Sequence, residues 1–161
     1  MNDSIPQIEA DNHEFWMQEA LKEALKGAEE EEVPVGAVVV HNSMVIGRGY
    51  NRTEGLGDAT AHAEILAIGA ASETLGDWRL EDCTLYVTLE PCPMCAGAIV
   101  QARIPKLVFG APDPKAGACG TLFNIVEDQR LNHMVEVVKG VREEESSSLL
   151  KSFFHKLRKQ G

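Results

Sequence analysis

The sequence contains no run of about 18 uncharged apolar residues, so no membrane-spanning helix is expected. Its opening stretch, Met1 to Asp11, lacks a basic start followed by an apolar segment. No secretory signal is therefore expected, and the cytoplasm is the expected compartment. No internal repeat is present, and no Pro-, Gly- or Ser-rich linker divides the chain. At about 150 residues per domain, 161 residues favour one domain over 1–161, preceded by a loose arm at 1–11. Cysteine is scarce: Cys83, Cys92, Cys95 and Cys119. In a chain of this length, such cysteines point to metal or packing rather than to a disulfide framework. Positive charge is also short. Fifteen Lys and Arg face 25 Asp and Glu, a net charge of −10, which argues against a nucleic-acid partner if the chain is taken whole.

The charge is not evenly spread. Residues 1–32 hold ten acidic side chains and two lysines, while Lys151, Lys156, Arg158 and Lys159 occupy the last eleven positions with no acid among them. A local basic face can meet phosphates although the whole is acidic. The 44% hydrophobic and 25% charged residues are ordinary for a globular chain and exclude disorder.

Apolar spacing gives the coarse architecture. Asn12 caps a predicted helix from His13, with Trp16, Ala20, Leu21, Ala24, Leu25 and Ala28 on its inner stripe. Gly27 and the run Glu29 to Glu32 read as fraying into solvent. Val33 to Val40 and Met44 to Tyr50 form a hairpin about a turn at 41–43. Asn51 to Thr60 is a loop. The next helix starts at Asp58 or Thr60, carries Ile65, Leu66, Ile68 and Ala71 near its inner face, and ends at Gly76. Cys83 to Leu89 is a buried strand. Pro91 and Pro93 open a helix to about Gln101, since proline is tolerated in the first turn. Strands follow at 106–110 and 135–138. A last helix begins near Val141, and residues 142–161 make its basic length. The order predicts three α/β/α layers around a mixed sheet of about five strands.

Two clusters carry chemistry. Ala61-His62-Ala63-Glu64 opens one helix, and Pro91-Cys92-Pro93-Met94-Cys95 opens another. Zinc takes imidazole nitrogen and thiolate sulfur, and a catalytic site uses three protein ligands plus water. Cys92 and Cys95 are spaced to face one ion, at a helix N-terminus that favours negative sulfur. His62 completes the set. Glu64 lies two residues on, free to move a proton without binding metal, which is worth about 10²–10⁴-fold. Alone, His-x-Glu is a common surface pattern, and Cys-x-x-Cys is equally redox, structural or packing. Together, each at a helix start, they are the H-x-E and P-C-x-x-C signature of zinc nucleobase deaminases.

The chain resembles the cytidine/deoxycytidylate deaminase superfamily and, within it, the bacterial tRNA-specific adenosine deaminases, from about Phe15 to Arg158. The likeness rests on Val33-Pro-Val-Gly-Ala-Val38, Gly49-Tyr-Asn-Arg52, Ala61 to Glu64, Leu85 to Ala98, Arg103-Ile104 and Val108 to Ala111. It continues in Asp113 to Ala118, Asn132-His133 and Phe153-Phe154. The HAE and PCxxC parts are shared with free-base deaminases. The Val-Pro-Val-Gly start, the 113–118 loop and the basic last helix resemble the tRNA enzymes specifically. This likeness implies a cytidine-deaminase-like fold and hydrolysis of adenosine to inosine at the first anticodon (wobble) position. One Zn²⁺ per subunit would be held by His62, Cys92 and Cys95. Activated water attacks C6 of the purine, and Glu64 carries protons to N1 and then to the leaving ammonia. It also implies a base pocket of Asn51, the Ala63 backbone and an apolar wall from Val33. Asp113 and Lys115 would touch neighbouring nucleotides, and the last helix, with Phe154, would face RNA. The partners implied are a tRNA anticodon stem-loop and a second copy in a homodimer, with the PCxxC helix near the interface. The acidic run Glu29 to Glu32 lies apart from these motifs.

Other residues read more plainly. Cys83 is core packing and Cys119 a free thiol, though either could close a zinc site as a fourth ligand. His13 and His41 are solvent residues, and His133 is structural. Trp16 is core, and Trp78 is a loop anchor. The stripe Phe153, Phe154 and Leu157 is core with one ring turned outward, and the tail lysines are a solvated face or a phosphate contact. A free-nucleobase deaminase is the alternative enzyme, with no use for the basic tail. A zinc-stabilised scaffold with a silent site is the non-enzyme alternative, against which Glu64 argues.

Overall fold

A computed structural model describes residues 12–160; the arm expected at 1–11 lies outside them. Helix α1 spans His13–Glu29, and the Asn12 side chain caps it by accepting the Phe15 N–H at 3.0 Å. Its buried stripe runs through Trp16, Met17, Ala20, Leu21, Ala24 and Gly27. Leu25, expected inside, is 49% exposed, because the face is centred nearer Met17 and Gly27 than the sequence suggests.

Strands β1 (Gly36–His41) and β2 (Met44–Tyr50) form the expected hairpin. Asn42 and Ser43 both have positive φ, 51° and 58°, as a two-residue type I′ turn requires. The 51–60 segment is not all loop, since Thr53–Leu56 forms a one-turn helix, α2. Helix α3 is Ala63–Leu75, ended by Gly76 in the left-handed conformation. It starts later than Asp58 or Thr60, because the Asp58 carboxylate is spent on the backbone N–H and hydroxyl of Thr60. Strand β3 (Thr84–Leu89), helix α4 (Pro93–Gln101), strands β4 (Lys106–Ala111) and β5 (Glu136–Val138) and helix α5 (Glu143–Gln160) complete the chain. No helix among the described residues is long and apolar enough to cross a membrane.

The sheet order is β2-β1-β3-β4-β5, antiparallel across β2-β1-β3 and parallel across β3-β4-β5. Alternating side chains of β1 divide the core. Ala37 and Val39 pack with α3 and α4, whereas Val38 and Val40 pack with Trp16, Met17 and Leu21 of α1. Leu149 of α5 joins the α1 side, giving the predicted three layers.

The face of α3 against the sheet is alanine: Ala63, Ala67 and Ala71 are fully buried, whereas Ile65, Leu66 and Ile68 are half-buried. Gly47 and Gly49 of β2 explain this. A methyl on Gly47 would overlap the Ala67 carbonyl oxygen, and one on Gly49 would lie 2.5 Å from the Ala63 carbonyl oxygen. The helix therefore rests on bare strand backbone. Gly49→Ala is expected to destabilise the fold by about 1–3 kcal/mol through overpacking. Urea denaturation checks this; an unchanged midpoint would show that the helix has room to move.

His13, expected in solvent, is half-buried with its Nδ1 2.8 Å from the Tyr86 hydroxyl. His41 is also half-buried. His133 is structural as expected, with Nε2 2.7 Å from the Ile104 carbonyl. Cys83 and Cys119 are buried free thiols. Trp78 is exposed, with the Arg79 guanidinium 4.4 Å over its ring.

Candidate metal centre and active site

The strand directions bring the carboxyl ends of β2, β3 and β4 and the start of β1 to one end of the sheet. That is where open α/β sheets hold ligands. Helices α3 and α4 both begin there, so the positive ends of two helix dipoles converge on one place and favour negative charge.

His62 occupies the cap position of α3, and Cys92 that of α4, with Pro93 in the first turn. Cys95 follows one turn later and is fully buried. His62 Nδ1 lies 3.6 Å from Cys92 Sγ and 3.4 Å from Cys95 Sγ, and the ligating atoms of the three all lie within 4.8 Å of one another. Four-coordinate zinc, at its usual bond lengths, sets such atoms about 3.5 Å apart. The residues therefore fit zinc in both donor type and spacing. Among the described residues, Cys83 and Cys119 do not belong to the group.

The electrostatics agree. Hydrogen bonding from Cys95, with help from His62, pulls the Cys92 thiol down to about 4. The same contact with Cys92, together with burial, pushes Cys95 upward. His62 is raised by its hydrogen bond to Cys92. The pair of sulfurs thus shares a proton that binding of a cation would release. Glu64 is buried beside them, and burial pushes its carboxyl up to about 7.

His62, Glu64 and Cys92 line a cavity of about 490 Å³. Of the expected pocket residues, Val33, Asn51, Asp113 and Phe154 line it with His62, Glu64 and Cys92. Cys95 lies behind the wall, and Ala63 and Lys115 are not among the lining residues. The Ala63 N–H is spent on Asn51 Oδ1, 2.8 Å away, which ties the end of β2 to the start of α3. Helix α5 adds Phe153, Phe154 and Leu157 to the wall. Phe154 and Leu157 are 40% and 51% exposed, so the stripe read as core leaves the core at its C-terminal end.

Four acids, Glu31, Glu32, Glu54 and Glu90, were not foreseen as parts of the site. The run Glu29 to Glu32 was expected to stand apart in solvent, yet Glu31 and Glu32 line the cavity. Glu32 is buried and accepts the N–H groups of Glu54 and Gly55 at 3.1 and 2.6 Å, holding α2 against the rim. Glu90, between β3 and Cys92, is also buried, and accepts from Asp113, Cys119 and Thr121. Burial acts to raise its carboxyl, but these hydrogen bonds outweigh it and hold the group below its ordinary range. The sequence signal for Glu90 is a lone acid at the end of a buried apolar strand, where a carboxylate needs several donors.

The model of the MafB19-like deaminase family matches residues 11–158. The tRNA-specific adenosine deaminase of Bacillus subtilis (strain 168) is 55% identical over 147 residues, 91% of each chain. A solved structure from a study of A-to-I editing by tRNA:A34 deaminases at the wobble position of transfer RNA has a TM-score of 0.81 at 48% identity. It covers 84% of this chain and 99% of that one. Guanine deaminase from Bacillus subtilis is more distant in shape, with a TM-score of 0.62 at 39% identity, over 68% of this chain and 71% of that one. With the five-stranded mixed sheet and the His-Cys-Cys group in place, the chain belongs to the tRNA-specific adenosine deaminase family of the cytidine deaminase-like superfamily.

Proposed function

We propose that this protein hydrolyses adenosine to inosine at the first anticodon position (position 34) of tRNA, releasing ammonia. The observation that carries the reading is the convergence of His62, Cys92 and Cys95 beside buried Glu64 at one cavity, in a chain 55% identical to a tRNA-specific adenosine deaminase over 91% of its length. His62, Cys92 and Cys95 hold one zinc ion per subunit. Zinc bound there supplies Lewis acidity, which brings the pKa of water near neutrality.

The chain's own residues do the rest. Glu64 accepts a proton from the attacking water as the C6–O bond forms and delivers it to N1 of the purine. It then carries the second proton to the exocyclic nitrogen, which leaves as ammonia when the C6–N bond breaks. Asn51 has its carbonyl oxygen committed to Ala63, so its amide NH₂ is the end left to donate to a ring acceptor of the base. That same bond fixes Ala63 at the helix start, so its role is to orient Asn51. Val33 supplies an apolar wall that excludes water from the base. Asp113 and Lys115 meet the nucleotides beside the target, and Phe154 meets RNA from the last helix. The protein is a single deaminase domain acting in the cytoplasm as a homodimer, with α4 near the interface.

A free-base deaminase is the second reading, favoured by the guanine deaminase likeness and by the acids Glu31, Glu32 and Glu54 on the cavity wall, which do not attract a polyanion. The test is an inosine assay on an anticodon stem-loop with adenosine at the wobble position, run beside adenosine, adenine, guanine and cytidine. Inosine in the RNA alone is the expected result. Ammonia from a free base with the RNA untouched would overturn it.

A further inference from the structure

We infer that Glu90 is a positioning residue for substrate selection: its carboxylate shapes the 113–121 loop into the wall that meets the nucleotide beside the target. The inference rests on the function proposed above. Glu90 is 2% exposed, yet its carboxylate faces one loop and is met by donors from along that loop's length. Oε1 accepts the Asp113 N–H at 3.0 Å and the Thr121 hydroxyl at 2.5 Å. Oε2 accepts the N–H groups of Cys119 and Thr121 at 3.0 and 3.1 Å.

The loop is closed tightly on this one group. Gly117 approaches so near that a side-chain carbon there would overlap the Glu90 carboxyl. The Glu90 N–H donates to the Ala111 carbonyl, and the Ala118 N–H to the Pro91 carbonyl, at 2.8 and 2.9 Å. Within the loop, Asp113 Oδ1 accepts the N–H groups of Lys115 and Ala116, which turns Asp113 and Ala116 onto the cavity. Cys92 lies two residues beyond Glu90. One short segment therefore sets both the metal-binding group and the substrate wall, which fixes the distance between reacting base and neighbouring nucleotide. A carboxylate used to order hydrogen-bond donors of a loop suits this role, because a wall that touches only the neighbouring nucleotide binds ground state and transition state alike, and its loss is read in KM rather than kcat.

The test is steady-state kinetics of zinc-loaded protein on two wobble-adenosine stem-loops, one intact and one abasic at the nucleotide next to the target. Glu90→Gln offers one acceptor oxygen and an NH₂ where two acceptor oxygens are needed. It is expected to raise KM on the intact RNA about tenfold, with kcat within about threefold and zinc at one per chain, the pattern of lost uniform binding. The abasic change should weaken the parent about tenfold and Glu90→Gln no more than about twofold, since two changes at one contact do not add. Thr121→Val removes only the hydroxyl bond and is expected to shift KM the same way by about threefold, which covers a Glu90→Gln chain that fails to fold. Unchanged KM in both variants, joint loss of zinc and kcat, or full additivity with the abasic site would overturn the inference while the parent still makes inosine. A parent that makes no inosine in RNA overturns the functional reading, and this inference with it.

Discussion

Glu64→Gln lowers inosine formation by about 10²–10⁴-fold while the protein keeps its zinc and its fold. The magnitude is that of a removed general acid–base group. Glutamine fills the same volume but cannot take a proton from water or hand one to N1. Glu64 is outside the three-residue ligand group, so metal content, read by atomic absorption, stays at one per chain. Retained activity in Glu64→Gln would remove the residue from the mechanism. The same substitution has a second signature in metal-free protein. The folded carboxyl titrates near 7, against an ordinary value of 4.5, because burial disfavours its charged form. Between those values the unfolded chain ionises first, so the parent loses stability as pH rises from about 4.5 to 7, on the order of 3 kcal/mol. Glu64→Gln lacks that loss. From pH 5 to pH 8 the change in denaturation midpoint should therefore be less favourable for the parent than for the variant, since the shifted His62 and Cys92 groups contribute to both.

Cys92→Ala abolishes activity and strips the metal. The remaining His62 and Cys95 leave two donors where a catalytic zinc site uses three. Changes to groups that merely orient ligands cost about 10–100-fold in metal affinity, and loss of a ligand exceeds that. The variant should purify with little zinc, and added zinc should not restore deamination. In parent protein, removing zinc with a chelator should abolish activity reversibly, returning on re-addition. Full zinc occupancy in Cys92→Ala would overturn the ligand assignment.

What the sequence disclosed, and what it withheld, follows from where each partner sits. His62, Cys92 and Cys95 were legible because each occupies the start of a helix whose proline, spacing and apolar pattern are local. The hairpin was legible for the same reason: two β-rich runs flank a short polar turn. Glu32 and Glu90 were not. Their partners lie more than 20 residues away and, the Thr121 hydroxyl apart, are backbone N–H groups that any residue but proline supplies, so the pairing leaves no mark in composition or period. The inner face of α3 was legible only in part, because isoleucine and leucine outrank alanine as core residues: Ala71 is buried as expected, but Ala63 and Ala67 take the other inner places and Ile65, Leu66 and Ile68 are half-buried. Glycines in another element, β2, reversed that ranking by bringing the helix too close for larger side chains. The path of α5 over the cavity is likewise a tertiary fact, since a half-exposed Phe154 has the same periodicity as a buried one.

The bare stretch of β2 has a consequence for how this chain can vary. It is an edge strand with Arg48 largely in solvent, a place where substitutions are ordinarily cheap. Yet Gly47 and Gly49 face a helix that carries His62 at its cap and Glu64 in its first turn. A saturation scan of residues 44–50 should therefore show freedom at exposed Met44 and near-complete intolerance at 47 and 49. Variants that do survive at 49 should lose deamination before they lose folding, because a lifted helix withdraws the proton carrier while the sheet stays paired. The reach of the reaction into an outer strand is set by two hydrogens in place of side chains.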